Sequence, residues 1–263
     1  MTPIPILLYH SVGHTRSPTY RRWCVEPSLF REHVDAVFGA GYEPLTVSQL
    51  VDAMDHDEVP TRPIVLTFDD GLADFVEHAA PVLGDRGIVS TMYVVSGHVG
   101  GTSQWLSIAG ESQRPMMTWS DLTDIAHAGH EIGAHTRTHP ELDVLRRDHA
   151  RAEIEESRAE IEAGTGRAVR SFAYPHGYHS GATVQATGAA GFDSACAVKN
   201  RWSWVGERRD ALSRIVVDGH TPPEQLVHRL ARPPATPERQ PHLRRLGWRQ
   251  LRRIQRVRAI RAS

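Results

Sequence analysis

Apolar residues fall along this chain in two alternating patterns. Short continuous runs, rich in Val, Ile, Tyr and Phe, occupy residues 5–10, 63–68, 90–95, 130–135, 169–174, 193–198 and 212–217. Runs of that length without polar alternation suit strands buried on both faces, as in a parallel sheet. Between them lie stretches of helical spacing at 27–39, 74–86, 120–128, 141–163, 181–190 and 223–230. In the first of these, Leu29, His33, Val34, Val37 and Phe38 recur near the helical period. Gly87, Gly129 and Gly164 stand as stop signals behind three others. Strand alternating with helix predicts an α/β fold, and seven strands favour barrel-like closure over an open sheet.

The 263 residues suit one large domain of this class. The pattern changes near residue 231, which divides the chain into a domain over 1–231 and a tail over 232–263. ARPPATPERQP, residues 231–241, reads as an extended linker. Beyond it, Leu243, Leu246, Leu251, Ile254, Val257 and Ile260 share one half of a helical wheel, with arginines filling much of the rest. Residues 232–263 hold ten arginines and one acid, Glu238, although the whole chain has a net charge of −1. A basic amphipathic helix over 243–260 suits peripheral contact with an anionic membrane; a protein partner or a solvated terminus are the other readings. The acidic body argues against a nucleic-acid partner. No apolar run is long enough to span a membrane. No basic region followed by a long apolar stretch opens the sequence, so a cytoplasmic protein is expected. Cys24 and Cys196 make no disulfide framework and are expected to be free thiols.

Two motifs carry chemistry. In LTFDDG, residues 66–71, an apolar strand ends in adjacent carboxylates before a glycine turn. In a parallel barrel the C-terminal strand ends form the active face. In HTRTHP, residues 135–140, His135 ends a strand and His139 follows four residues later. One turn can bring both imidazoles to one point, as a divalent metal requires. Two histidines and one carboxylate make a three-ligand set with open positions, the arrangement of a catalytic rather than a structural metal. Zinc is the first candidate; cobalt, nickel or iron also suit the set. The second carboxylate is then free to act as a base, because a catalytic cation lowers the pKa of water to about 7 in favourable sites.

LTFDDG, HTRTH and the later SFAYPHG (residues 171–177) together resemble the first three motifs of the polysaccharide deacetylase family, the NodB-homology domain or carbohydrate esterase family four. The resemblance spans about residues 4–230. LLYHSV near the start and ALSRIVVD near the end are similar to the subgroup of exopolysaccharide N-deacetylases. The resemblance implies a deformed (β/α)7 barrel and metal-dependent hydrolysis of N-acetyl groups on the amino sugars of a polysaccharide or glycoconjugate. By motif, Asp69 is then the general base, and Asp70, His135 and His139 hold the metal. Thr136 braces the loop. Tyr174, Pro175 and His176 form the substrate-side segment, where a backbone N–H holds the oxyanion. A deacylase of a lipid-linked sugar or other linear amide, such as a deformylase, and a non-catalytic glycan-binding protein are the alternatives.

Amide hydrolysis also needs a proton for the leaving amine. Many relatives take the histidine from a motif near the end of the domain. RIVVDGHT, residues 214–221, lacks that motif's leucine-histidine pattern. In the subgroup with YHS-like openings the histidine of that motif serves instead. If the first strand neighbours the last, His10 occupies similar space and is the expected acid, with His220 as rival. Ala173 stands where many relatives carry an arginine that tethers the base; Arg170 and Arg214 are the possible substitutes. Trp105, Trp119, Trp202 and Trp204 could stack on a sugar ring or simply pack. Asp210 and Arg214 could pair to brace the site.

Overall fold

The structure, a computed structural model, describes residues 2–237. All seven expected strands are present: β1 Ile6–Tyr9, β3 Pro63–Phe68, β4 Thr91–Val94, β5 Glu131–Ala134, β6 Ser171–Ala173, β7 Ser194–Cys196 and β8 Ile215–Val216. An eighth, β2 Glu43–Leu45, is short and carries a proline, and its sequence gives no strand signal. The parallel sheet runs β7-β6-β5-β4-β3-β1-β8, and β2 pairs with the start of β3. Its two edges meet at a single bridge, Cys196 opposite Leu212. The sheet therefore curls into a deformed, barely closed barrel. The first strand does lie beside the last, with Leu7 opposite Ile215.

Alternation along each strand sorts its side chains. Leu7, Tyr9, Ile64, Leu66 and Phe68 face the surrounding helices in the main apolar core. Ile6 and Val65 face inward, in a second cluster with Tyr93, Ala173, Cys196 and Leu212. A strand's period of two carries those inward positions on to His10 and Asp69. Val47, Leu50 and Val51 of helix α2 Val47–Asp55 pack into the same cluster. This helix is absent from the expected set. Its signal is a capping box: Thr46 accepts from the Gln49 N–H while the Gln49 side chain accepts from Thr46.

Helices α1 Pro27–Gly39 and α7 Pro223–Leu230 match their expected bounds, and α4 Trp119–His127 and α6 Gly181–Ala189 match within a residue. The stretch 74–86 is instead a wide turn, Phe75–Ala79, leading into α3 Ala80–Gly84. Pro81 has no N–H to continue the ordinary ladder, and the Ala80 N–H bonds back to Phe75. The long helix α5 is Arg147–Thr165, starting later than expected and running through Gly164. Gly164 is not a stop: a Cβ there would lie 2.3 Å from the Trp119 ring. Gly166, at φ +64°, ends the helix.

Two short pairings complete the frame. Pro3–Ile4 pairs with Ser203–Trp204, and Ser11–Val12 with Cys24–Val25. Cys24 and Cys196 are both free and buried. Among the described residues no helix is long and apolar enough to cross a membrane. The amphipathic segment expected over 243–260 lies outside the described residues.

Candidate active site

The register of β1 against β3 builds the first half of the site. Tyr9 is opposite Phe68, and the Asp69 N–H donates to the Tyr9 carbonyl at 3.0 Å. His10 and Asp69 therefore leave neighbouring strand ends side by side. Asp70 then turns at φ +81° and Gly71 at φ +85°. Two consecutive left-handed residues fold the chain back, so both carboxylates enter one site instead of pointing to opposite faces. Gly71 takes this conformation freely.

The segment that follows β5, two strands along from β3, supplies both imidazoles. The His135 N–H continues the ladder to the Val94 carbonyl, and Thr136 turns at φ +66°. The His139 N–H donates to Thr136 Oγ1 at 3.0 Å, so Thr136 does brace the loop. The Arg137 and Thr138 N–H groups both donate to Glu153 on α5. Of the six described non-glycine residues with positive φ, four are Asp70, Thr136, His139 and His176. Such conformations cost about 1–3 kcal/mol each and persist where the surroundings impose them.

Asp70, His135 and His139 each offer one ligand atom, and these atoms lie within 4.8 Å of one another. His139 Nε2 is 3.4 Å and His135 Nε2 3.8 Å from Asp70 Oδ1. The other nitrogen of His135, Nδ1, lies 2.7 Å from the Ala173 carbonyl. Donation of Nδ1–H to that carbonyl leaves the Nε2 lone pair facing the carboxylates. Asp70 Oδ1 is buried and has no hydrogen-bond partner. Burial, followed by repulsion from Asp69 and Asp74, holds the Asp70 carboxyl well above the usual carboxylate range. Burial also lowers both imidazoles, His135 to about 4, so both are neutral at pH 7. An unpartnered carboxylate oxygen facing two neutral imidazoles fits a divalent cation.

Asp69 is held differently. Arg214 grips it with two parallel bonds, Nη1 to Oδ1 at 2.6 Å and Nη2 to Oδ2 at 2.8 Å. The guanidinium is fully buried and also reaches Thr67 Oγ1. Burial pushes the Asp69 carboxyl up, but Arg214, His135 and His10 outweigh it and hold the group below its ordinary value. Arg214 thus fills the place left by Ala173. Arg170 is spent elsewhere, on Asp52 and Asp193. Asp210 pairs with the exposed Arg208, not with Arg214.

The remaining expected residues separate. Tyr174 is fully buried: its ring packs on Phe172 and its hydroxyl donates to the Asp210 carbonyl. Its side chain is therefore turned into the core and closed to solvent. The Tyr174 N–H donates to the Cys196 carbonyl, and Pro175 has no N–H to offer. His176 is exposed at φ +56°, with its ring 4.8 Å from that of His139. His220 is exposed on the loop before α7. Trp202 and Trp204 are buried in the core, and Trp119 covers Gly164. Trp105 stacks on His139. Trp23, which no sequence signal marks, lies 4.8 Å from the His10 ring, because Ser11–Val12 pairs with the segment that follows Trp23.

Residues 56–195 match the family model described as polysaccharide deacetylase. The chain belongs to the polysaccharide deacetylase family. The matched segment carries both carboxylates, both imidazoles and the SFAYPHG segment, whereas His10 and Arg214 lie outside it. YxkH of Bacillus subtilis (strain 168), named for polysaccharide deacetylase, is 26% identical over 190 residues. That alignment covers 72% of this chain but only 62% of the relative. The fold is that of solved deacetylases. The Streptococcus pyogenes deacetylase PplD, solved with acetate, superposes with a TM-score of 0.75 at 24% identity, covering 86% of this chain and 97% of that one. IcaB from Ammonifex degensii gives 0.73 at 20%, covering 88% and 97%.

A bound cation should stabilise this family member measurably. The metal-free fold keeps Asp70 buried beside two other carboxylates, and a ligand that binds only the native state adds about 4 kcal/mol at a thousandfold excess over its Kd. Saturating Zn2+ or Co2+ is expected to raise Tm, and a chelator to reverse the rise. Asp70→Asn should abolish the shift, as thermal unfolding with and without metal would show. An Asp70→Asn variant with the full shift would remove Asp70 from the ligand set.

Proposed function

We propose that the protein is a metal-dependent hydrolase that removes N-acetyl groups from the amino sugars of a polysaccharide or glycoconjugate. The observation that carries this reading is the Asp69–Arg214 pair set beside the Asp70, His135 and His139 cluster, with His10 across the neighbouring strand end. A divalent cation, zinc first, held by Asp70, His135 and His139 supplies Lewis acidity and an acidified water. Asp69, kept ionised by Arg214, takes the proton of the attacking water at its carboxylate. As the resemblance in SFAYPHG implies, the backbone N–H at His176 would hold the oxygen where negative charge grows.

His10 gives the departing amine its proton. Burial lowers this imidazole to about 4, against the pull of Asp69. The ring therefore rests neutral at pH 7 and must receive the proton it passes on, with the Asp69 carboxyl as the neighbouring source. Hydrolysis of the amide breaks the C–N bond and yields acetate and a free amine.

The test is acetate release from N-acetylglucosamine oligomers by the zinc- or cobalt-loaded protein. His10→Ala should lower kcat/KM by about 10²–10⁴ while the metal stays bound. Stoichiometric metal with no release from any acetylated oligomer would sink the deacetylase reading. Full activity in His10→Ala would sink only the assignment of the acid.

A further inference from the structure

Among the described residues, six buried side-chain polar atoms have no hydrogen-bond partner. Native proteins leave few such atoms, and each calls for a physical reason. Asp70 Oδ1 and His10 Nδ1 belong to the site already described. A third is the indole nitrogen of Trp105. A buried tryptophan N–H normally finds an acceptor, and this one lies beside a proposed metal ligand.

Trp105 is the second residue of a two-turn helix, Gln104–Ala109, in the long excursion between β4 and α4. Its ring stacks on His139, with centroids 5.3 Å apart and planes at 26°. His98 packs against it at 5.1 Å. The excursion is firmly closed at its base: the Gly100 N–H donates to Met117, Met116 to Gly101, and Ser103 to Arg114. The Arg114 guanidinium ties it to two other segments through Ser11 and Asp74, each at 2.7 Å. Trp105, half-buried, is thus held by its loop, with its N–H shielded from solvent.

We infer that Trp105 is a positioning residue of the site. Its ring backs the His139 imidazole and holds it in a ligating pose. That pose leaves the indole N–H without an acceptor, a cost that the stack offsets. The role rests on the proposed metal cluster. Offset stacking limits how the imidazole can turn, and groups that orient a ligand commonly change metal affinity 10–100-fold.

Two substitutions test it, because phenylalanine keeps a ring where alanine has none. Trp105→Ala should weaken Co2+ binding at least about tenfold, read by calorimetric titration, while Trp105→Phe stays near the wild type. Wild-type Co2+ affinity in Trp105→Ala, or an equal loss in Trp105→Phe, would overturn the backing role. A metal-loaded wild type that leaves every oligomer intact would overturn the deacetylase reading, while the Co2+ titration still decides the backing role.

Discussion

Replacing Arg214 with methionine is expected to destabilise the fold by about 3–5 kcal/mol at pH 7, the cost of leaving one member of a buried ion pair alone. The pair is fully buried and bidentate, so neither water nor salt can substitute for the guanidinium. The sign of the pH dependence follows from Asp69. Its folded pKa is depressed, so its contribution to stability is present above the ordinary carboxylate pKa and lost as pH falls through the folded value. Without Arg214, burial is no longer outweighed and raises that pKa, so the carboxyl is tolerated only when protonated. The gap between wild type and variant should therefore be widest at neutral pH and narrow in acid. Urea unfolding at two pH values measures it. A second change, Asp69→Leu, should return much of the lost stability, since removing both charges avoids the lone buried ion. A loss below about 1 kcal/mol at pH 7 would mean that the pair does not brace the fold as drawn.

The largest kinetic effect is expected at Asp69 itself. Asp69→Asn keeps an oxygen that can accept from Arg214 but removes the basic carboxylate, and kcat/KM should fall by about 10²–10⁴. Metal affinity should hold, because the proposed ligands are Asp70, His135 and His139. Acetate release and metal titration on the same sample separate lost chemistry from lost structure. A variant that binds metal normally and retains more than about a tenth of wild-type turnover would displace Asp69 as the base.

Much of the architecture was legible along the chain because buried parallel strands are continuous apolar runs and the helices between them have their own period. All seven expected strands formed. The misses have local causes. Helix α2 is short, signalled by its capping box and by Val47, Leu50, Val51 and Met54 at helical spacing, and β2 is signalled by nothing. Gly164 resembles a stop, but its absent side chain makes room for Trp119, which comes from a distant part of the chain. Pro81 turned an ordinary helix into a wide turn.

The site divides along the same line. Adjacent aspartates at a strand end and two histidines four apart are visible in sequence because their geometry is local: a left-handed turn and one short loop. The arginine that holds Asp69 was not. Arg170 and Arg214 are equally arginine in the sequence, and only the pairing of β8 with β1 carries Arg214 into the barrel while Arg170 meets Asp52 and Asp193 outside. Trp23 and Trp105 likewise reach His10 and His139 through loops whose paths depend on pairings far along the chain. Sequence by itself determined the family, the barrel and the four residues of the two short motifs. Tertiary structure decided the tether, the ring backing His139 and the inward burial of Tyr174, because strand register and loop closure join residues that no local period relates.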